Sequence, residues 1–117
     1  MDDRSEKEVL LNLNGYRHYN RDDGYWIKIE AWETEITDAR PHGLRYSLSL
    51  HDANGTRVIG FDNAHGIKVG NKRRYSARKI VYDHEHRLNK VMPYDFRSSA
   101  RLLEDFWQAV SRIVEIK

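Results

Sequence analysis

The chain reads as an α+β protein, a mainly antiparallel β-sheet of about five strands with one C-terminal α-helix packed on it. Three observations predict this. Asp23-Gly24 and Asn54-Gly55 each stand between runs of apolar and aromatic residues, the signature of a tight antiparallel hairpin. Leu44, Tyr46, Leu48 and Leu50 alternate strictly with Arg45, Ser47, Ser49 and His51, as a half-buried strand requires. From Leu102 onward the apolar residues change to helical spacing.

The elements follow in order. Residues 1–7 are polar and are expected to be disordered, with regular structure starting near Glu8. Val9-Leu10-Leu11-Asn12-Leu13 leads into a strand through Tyr16–Tyr19, and Arg21-Asp22-Asp23-Gly24 turns it back into a second strand over Tyr25–Ile36. There Tyr25, Ile27, Ile29 and Ala31 share one face, while Trp26, Lys28, Glu30 and Trp32 share the other. Pro41 and Gly43 mark a loop before the alternating strand. Thr56–Asp62 returns after Asn54-Gly55, and residues 66–78, which lack any hydrophobic period, form a basic loop. Lys79–His86 is a further strand, with Ile80, Tyr82, His84 and His86 on one face and Val81, Asp83, Glu85 and Arg87 on the other. Ser98 or Ser99 caps the closing helix, whose Leu102, Leu103, Phe106, Val110, Ile113 and Val114 face the sheet, with Phe96 as a staple before the cap.

Composition bounds the function. A chain of 117 residues suits one domain, 1–117, and three Trp, seven Tyr and three Phe supply the apolar bulk that disordered chains lack, despite 32% charged residues. Without cysteine there is no disulfide framework and no thiolate metal site. No apolar run approaches the roughly twenty residues of a membrane helix, and Met1-Asp2-Asp3-Arg4 does not open a signal peptide, so a cytoplasmic protein without membrane contact is expected. Gly-x-Gly-x-x-Gly and Gly-Lys-Ser/Thr phosphate loops are absent. The net charge is only +2, but Lys68–Lys79 holds six basic residues and no acid.

The residues that look like a site flank that basic stretch. Phe61-Asp62-Asn63-Ala64-His65-Gly66 precedes it, and Tyr82-Asp83-His84-Glu85-His86-Arg87 follows. Histidine exchanges protons near neutral pH, so two of them can serve as base and acid. Metal-free RNA cleavage needs a base for the 2′-hydroxyl, an acid for the leaving 5′-oxygen and cations on the phosphorane, and yields a 2′,3′-cyclic phosphate. His84 and His86 fit those proton-transfer roles, with His65 as substitute, Asp83 or Asp62 orienting a ring, and Arg87 on the phosphate. Neither cofactor nor metal is called for. Residues two apart on a strand stand roughly 6.5 to 7 Å apart, so the two rings are expected to flank one small group. If the strand ending at Asp62 pairs with Lys79–His86, Asp62 and His65 reach the same end of the sheet.

Each feature has a plainer reading. Histidines beside a loop are often mere surface residues. His-x-His with Asp62 or His65 is also a weak zinc pattern. The cations Lys68, Lys72, Arg73, Arg74, Arg78 and Lys79, with Tyr75 as a stacking ring, are expected to contact nucleic acid, although charge runs are usually solvated. Phe106 and Trp107 are adjacent on a helix and cannot face the same way, so one is expected to be exposed, where a Trp would suit a protein interface.

Leu44-Arg45-Tyr46-Ser47-Leu48, Gly60-Phe61-Asp62-Asn63-Ala64-His65, Tyr82-Asp83-His84-Glu85-His86-Arg87, Pro93-Tyr94-Asp95-Phe96 and Leu102-Leu103-Glu104-Asp105-Phe106-Trp107 together resemble the TumE-like toxins of prokaryotic toxin–antitoxin systems. The resemblance runs from the Tyr25 strand to the C-terminus. It implies a growth-inhibiting toxin held in check by a helix-turn-helix antitoxin; a homodimer and a toxin–antitoxin hetero-oligomer are both open, since the sequence does not fix the oligomeric state. The ribonuclease chemistry is read from the histidines, with RNA as substrate. The alternatives are a non-catalytic module that binds nucleic acid or a partner protein, and a metal-dependent hydrolase or phosphotransferase built on His84, His86 and Asp62.

Overall fold

The structure, a computed structural model, describes residues 3–63, 67–69, 79–88 and 90–114. The elements run α1 (Asp3–Asn12), β1 (Tyr16–Tyr19), β2 (Trp26–Glu33), β3 (Leu44–His51), β4 (Arg57–Asp62), β5 (Ile67–Val69), β6 (Lys79–Val81), β7 (His84–Arg87), β8 (Lys90–Pro93) and α2 (Ser99–Ser111). Six strands form one antiparallel sheet in the order β1-β2-β3-β4-β7-β8, and β5 pairs with β6 in a separate two-stranded ribbon. The α+β class holds, with six strands in the main sheet rather than about five.

The alternation read from the sequence decides which face is covered. Ile27, Ile29 and Ala31 of β2, Leu44, Tyr46, Leu48 and Leu50 of β3, and Ile59 and Phe61 of β4 are buried in one cluster with Leu10 of α1 and Leu102, Phe106, Ala109 and Val110 of α2. Both helices therefore lie on one face of the sheet. Removing that apolar area from water at roughly 25 cal/mol per Å² is the main stabilising term. Ser98 caps α2 by accepting the Arg101 N–H at 3.1 Å. Phe106 is fully buried, while Trp107 is half-buried and meets Tyr16 edge-on at 6.5 Å.

Three expectations are corrected. The stretch expected to be disordered, 1–7, is helical from Asp3 onward, and Val9–Leu13 does not open a strand. Glu, Lys and Arg favour a helix there, Leu10 anchors it in the core, and Gly15 at φ +88° ends it. The segment 66–78 is not loop throughout, since Ile67–Val69 pairs with Lys79–Val81. The strand expected over Lys79–His86 is broken at Tyr82-Asp83, with its first part in the ribbon and its second in the main sheet. The hairpins at Asp23-Gly24 and Asn54-Gly55 form as read. Gly24 adopts φ +77°, and a Cβ there would approach Ala53 Cβ to 2.7 Å, so glycine lets the two hairpin ends meet.

Candidate active site

Strand register assembles the site. Asp62 ends β4 opposite His84, and Gly60 stands opposite His86. Residues directly opposite in an antiparallel pair share a face, so Asp62, His84 and His86 all lie on the side away from the helices. His84 Nε2 is 2.6 Å from Asp62 Oδ1, and His86 Nε2 is 3.2 Å from Oδ2. The rings do not flank an open gap; they converge on one carboxylate, 4.7 Å apart and nearly perpendicular.

A fourth member comes from a β-bulge. Ile59 and Phe61 face the helices, so simple alternation would send Arg57 the same way. Instead the β3–β4 register shifts after Leu50, and His51 pairs with Arg57 rather than Val58. The extra residue turns Arg57 onto the other face. Its side chain then crosses Gly60, where a Cβ would sit 3.1 Å from Arg57 Cδ and 3.5 Å from His86 Cβ. A guanidinium nitrogen ends 3.5 Å from Asp62 Oδ2.

The two histidines differ chemically. His84 Nδ1 lies 2.7 Å from the Tyr82 carbonyl oxygen while Nε2 faces Asp62, so both nitrogens meet acceptors. A neutral imidazole offers one donor, so both contacts are hydrogen bonds only when a further proton is shared between the ring and Asp62. His84 is only 3% exposed. Burial holds His86 below the ordinary histidine value, helped by the positive Arg57 and by His84 and opposed by Asp62. A neutral His86 donates Nε2–H to Asp62, and among the described residues its Nδ1 has no hydrogen-bond partner.

The other predicted site residues fall elsewhere. Asp83 does not orient His84 or His86; it lies toward the helices, where its carboxylate accepts from the Tyr46 hydroxyl at 2.6 Å and from His42 Nε2 at 3.0 Å. Arg87 is opposite Ile59 on that same side and pairs with Glu85, so it is not at the histidines. Lys68 and Lys79 stand on the β5–β6 ribbon, in register with Ile80 and Val69. His65, Lys72, Arg73, Arg74, Tyr75 and Arg78 lie outside the described residues.

Two contributors escaped the sequence reading. Arg57 is one; its signal was Gly60, a small residue on an otherwise bulky strand. Asn63 is the other. It is fully buried, accepts the Tyr46 N–H at 3.0 Å, donates to the Leu44 carbonyl at 2.7 Å, and so fastens the chain next to Asp62.

The triad also has metal-ligand geometry, because Asp62, His84 and His86 each offer a donor atom within 4.8 Å of the others. The Tyr82 carbonyl on His84 Nδ1 is the outer contact a metal-bound histidine commonly makes. Arg57 weighs the other way, since its charge already engages the same carboxylate.

An antiparallel sheet backed by two helices, carrying a carboxylate, two histidines and an arginine on its other face, defines a small α+β protein with a polar cluster of titratable side chains. A family model described as Toxin TumE matches residues 4–114. The chain belongs to that family and is a toxin of a toxin–antitoxin system. The same comparisons find no match among curated proteins and none among solved structures. Among the described residues no helix is long and apolar enough to cross a membrane.

Proposed function

We propose that this toxin is a metal-independent ribonuclease acting at Asp62, His84, His86 and Arg57. The convergence of both histidines on one carboxylate beside a guanidinium supports this most directly. In this reading the Nδ1 lone pair of His86 takes the proton of a 2′-hydroxyl, whose oxygen attacks the adjacent phosphorus. The P–O5′ bond breaks, and the leaving oxygen receives a proton from the Asp62 carboxyl, which His84 replenishes. His84 is too buried to serve the substrate directly, so the acid and base roles first read into the histidine pair become base for His86 and proton store for His84. Arg57 offsets the charge on the phosphorane. The products are a 2′,3′-cyclic phosphate and a free 5′-hydroxyl.

RNA as substrate places the toxin's action in the cytoplasm. Its antitoxin is a helix-turn-helix protein, and the toxin forms a homodimer or a toxin–antitoxin hetero-oligomer. The basic residues 68–79 contribute phosphate contacts in this picture.

The test is purified toxin with single-stranded RNA in excess chelator, the ends analysed for cyclic phosphate. Cleavage that persists in chelator, ceases in His86→Ala and is blocked by 2′-deoxy substitution supports the assignment. Intact RNA at all toxin concentrations sinks it. The donor-atom geometry of the triad favours one second reading, a metal-dependent hydrolase; cleavage abolished by chelator and restored by zinc or manganese selects that instead.

A further inference from the structure

The face opposite the helices carries more than the triad. Strand register sorts its side chains into rows that run across the sheet. One row is Tyr19, Trp26, His51 and Arg57; the next is Arg17, Lys28, Ser49, Gly60 and His86. The first row begins in aromatic rings and ends in the arginine that reaches Asp62. The second begins in cations and ends in the histidine whose Nδ1 has no partner among the described residues.

Three features of these rows suit a single strand of nucleic acid. Tyr19 is 62% exposed, and the Trp26 indole is supported from one side by His51, whose ring is parallel to it at 4.1 Å. On the β1 side of that indole a shallow recess of about 360 Å³ is lined by Arg17, His18, Tyr19 and Trp26. The charge on the face is mainly positive: Arg17, Lys28, Arg45 and Arg57 stand there against Glu30, which pairs with Lys28 at 3.0 Å, and the buried Asp62. Bases stack on aromatic faces whatever their identity, and flanking cations hold the phosphates. Three strand spacings of roughly 4.8 Å separate β2 from β7, so a short single-stranded segment spans the distance from Trp26 to His86.

We propose that single-stranded RNA is held across this sheet face, with a base in the Tyr19–Trp26 recess and phosphates on Arg17 and Arg57, so that the scissile bond falls at His86. This rests on the ribonuclease reading for its catalytic end, but the track is a binding site and is testable apart from it. It adds RNA contacts on β1, β2 and β4 to those proposed for the basic segment 68–79.

The experiment uses the full chain bearing His86→Ala, so that the probe survives, and a fluorescent single-stranded oligoribonucleotide of mixed sequence read by anisotropy over a range of salt. Tyr19→Ala and Trp26→Ala are each expected to weaken binding about 10-fold. Arg17→Ala is expected to reduce the slope of log affinity against log salt by about one. Arg97→Ala, 73% exposed at its side chain and before α2, should bind as the parent does. If Trp26→Ala fails to fold, exposed Tyr19 and Arg17 still decide. Binding unchanged in Tyr19→Ala and Arg17→Ala, or lost only when Arg73 and Arg74 are neutralised, overturns the track, as does a parent that binds no RNA. The outcomes separate from those of the ribonuclease assignment. Face-dependent binding with a wild type that never cleaves leaves the track standing, whereas wild-type cleavage indifferent to Tyr19 and Arg17 leaves only the chemistry.

Discussion

Asp83 and His84 are neighbours in the chain, yet they feed two carboxylate–histidine clusters on opposite sides of the sheet. Toward the helices, Asp83 holds His42 and Tyr46. The Leu44 N–H donates to His42 Nδ1 at 3.2 Å, which fixes the proton on Nε2, and Phe96 lies against the ring at 4.1 Å. Every polar atom of that imidazole is spoken for. Burial, then the negative Asp83, push the Tyr46 hydroxyl well above the ordinary tyrosine value, so it remains a donor at any working pH. Across the sheet, Asp62 holds His84 and His86, but His86 Nδ1 has no partner among the described residues and Arg57 remains 39% exposed at its side chain. The same pairing of residue types makes a structural lock in one place and the proposed reactive site in the other. The difference is hydrogen-bonding capacity left unused among the described residues.

The comparison is broken most sharply by removing His86. His86→Ala is expected to lower RNA cleavage by about 10²- to 10⁴-fold, the usual worth of a positioned base, with little change in the thermal midpoint. Cleavage and growth arrest in that variant equal to wild type would contradict the assignment. Asp62→Asn should act in the same direction with a structural cost as well, because a neutral amide leaves His84 and Arg57 without their shared charge. Calorimetry beside single-turnover cleavage separates the two effects.

Tyr46→Phe tests the lock. It removes one donor from Asp83 and is expected to cost about 1 to 3 kcal/mol in denaturant unfolding, while the folded variant cleaves RNA at the wild-type rate. A cleavage defect larger than the unfolded fraction explains would join the two clusters functionally.

pH sharpens the contrast further. A base must be unprotonated, and His86 is held below 6.5 by burial and by Arg57, so the acid limb of the rate profile should lie below pH 6.5. Arg57→Gln removes one lowering influence and should move that limb to higher pH; a limb that stays in place argues against His86 as base. The smallest expected effect is at the β7–β8 turn, where Leu88 adopts φ +52° and is exposed. Leu88→Gly should relieve the left-handed strain and raise stability by about 1 kcal/mol or less, without touching either cluster.

Much of the architecture was legible because it is written in period and turn chemistry. Two hairpins, the β3 alternation and the capped helix needed only local rules. Even the displacement of Arg87 was implicit, since residues 84 and 86 share a parity that 87 lacks. The first helix was missed because a single core residue, Leu10, carries its burial, and the contiguous run Val9–Leu13 imitates a strand. β8 was missed because Lys90–Pro93 is short, exposed and ends in proline, and so carries no alternating signal.

The sequence by itself determined the α+β class and the covered face of the sheet, because alternation and turn geometry act within a few residues; it left the meeting of Asp62 with His84 and His86 conditional on how two distant strands pair. The tertiary structure alone decided which charges join them. A one-residue register shift at Leu50/His51 carries Arg57 to the site, and β3 with the loop before it brings Tyr46 and His42 to Asp83. Both depend on how neighbouring strands pair, and in a sheet a shift of one residue exchanges the two faces.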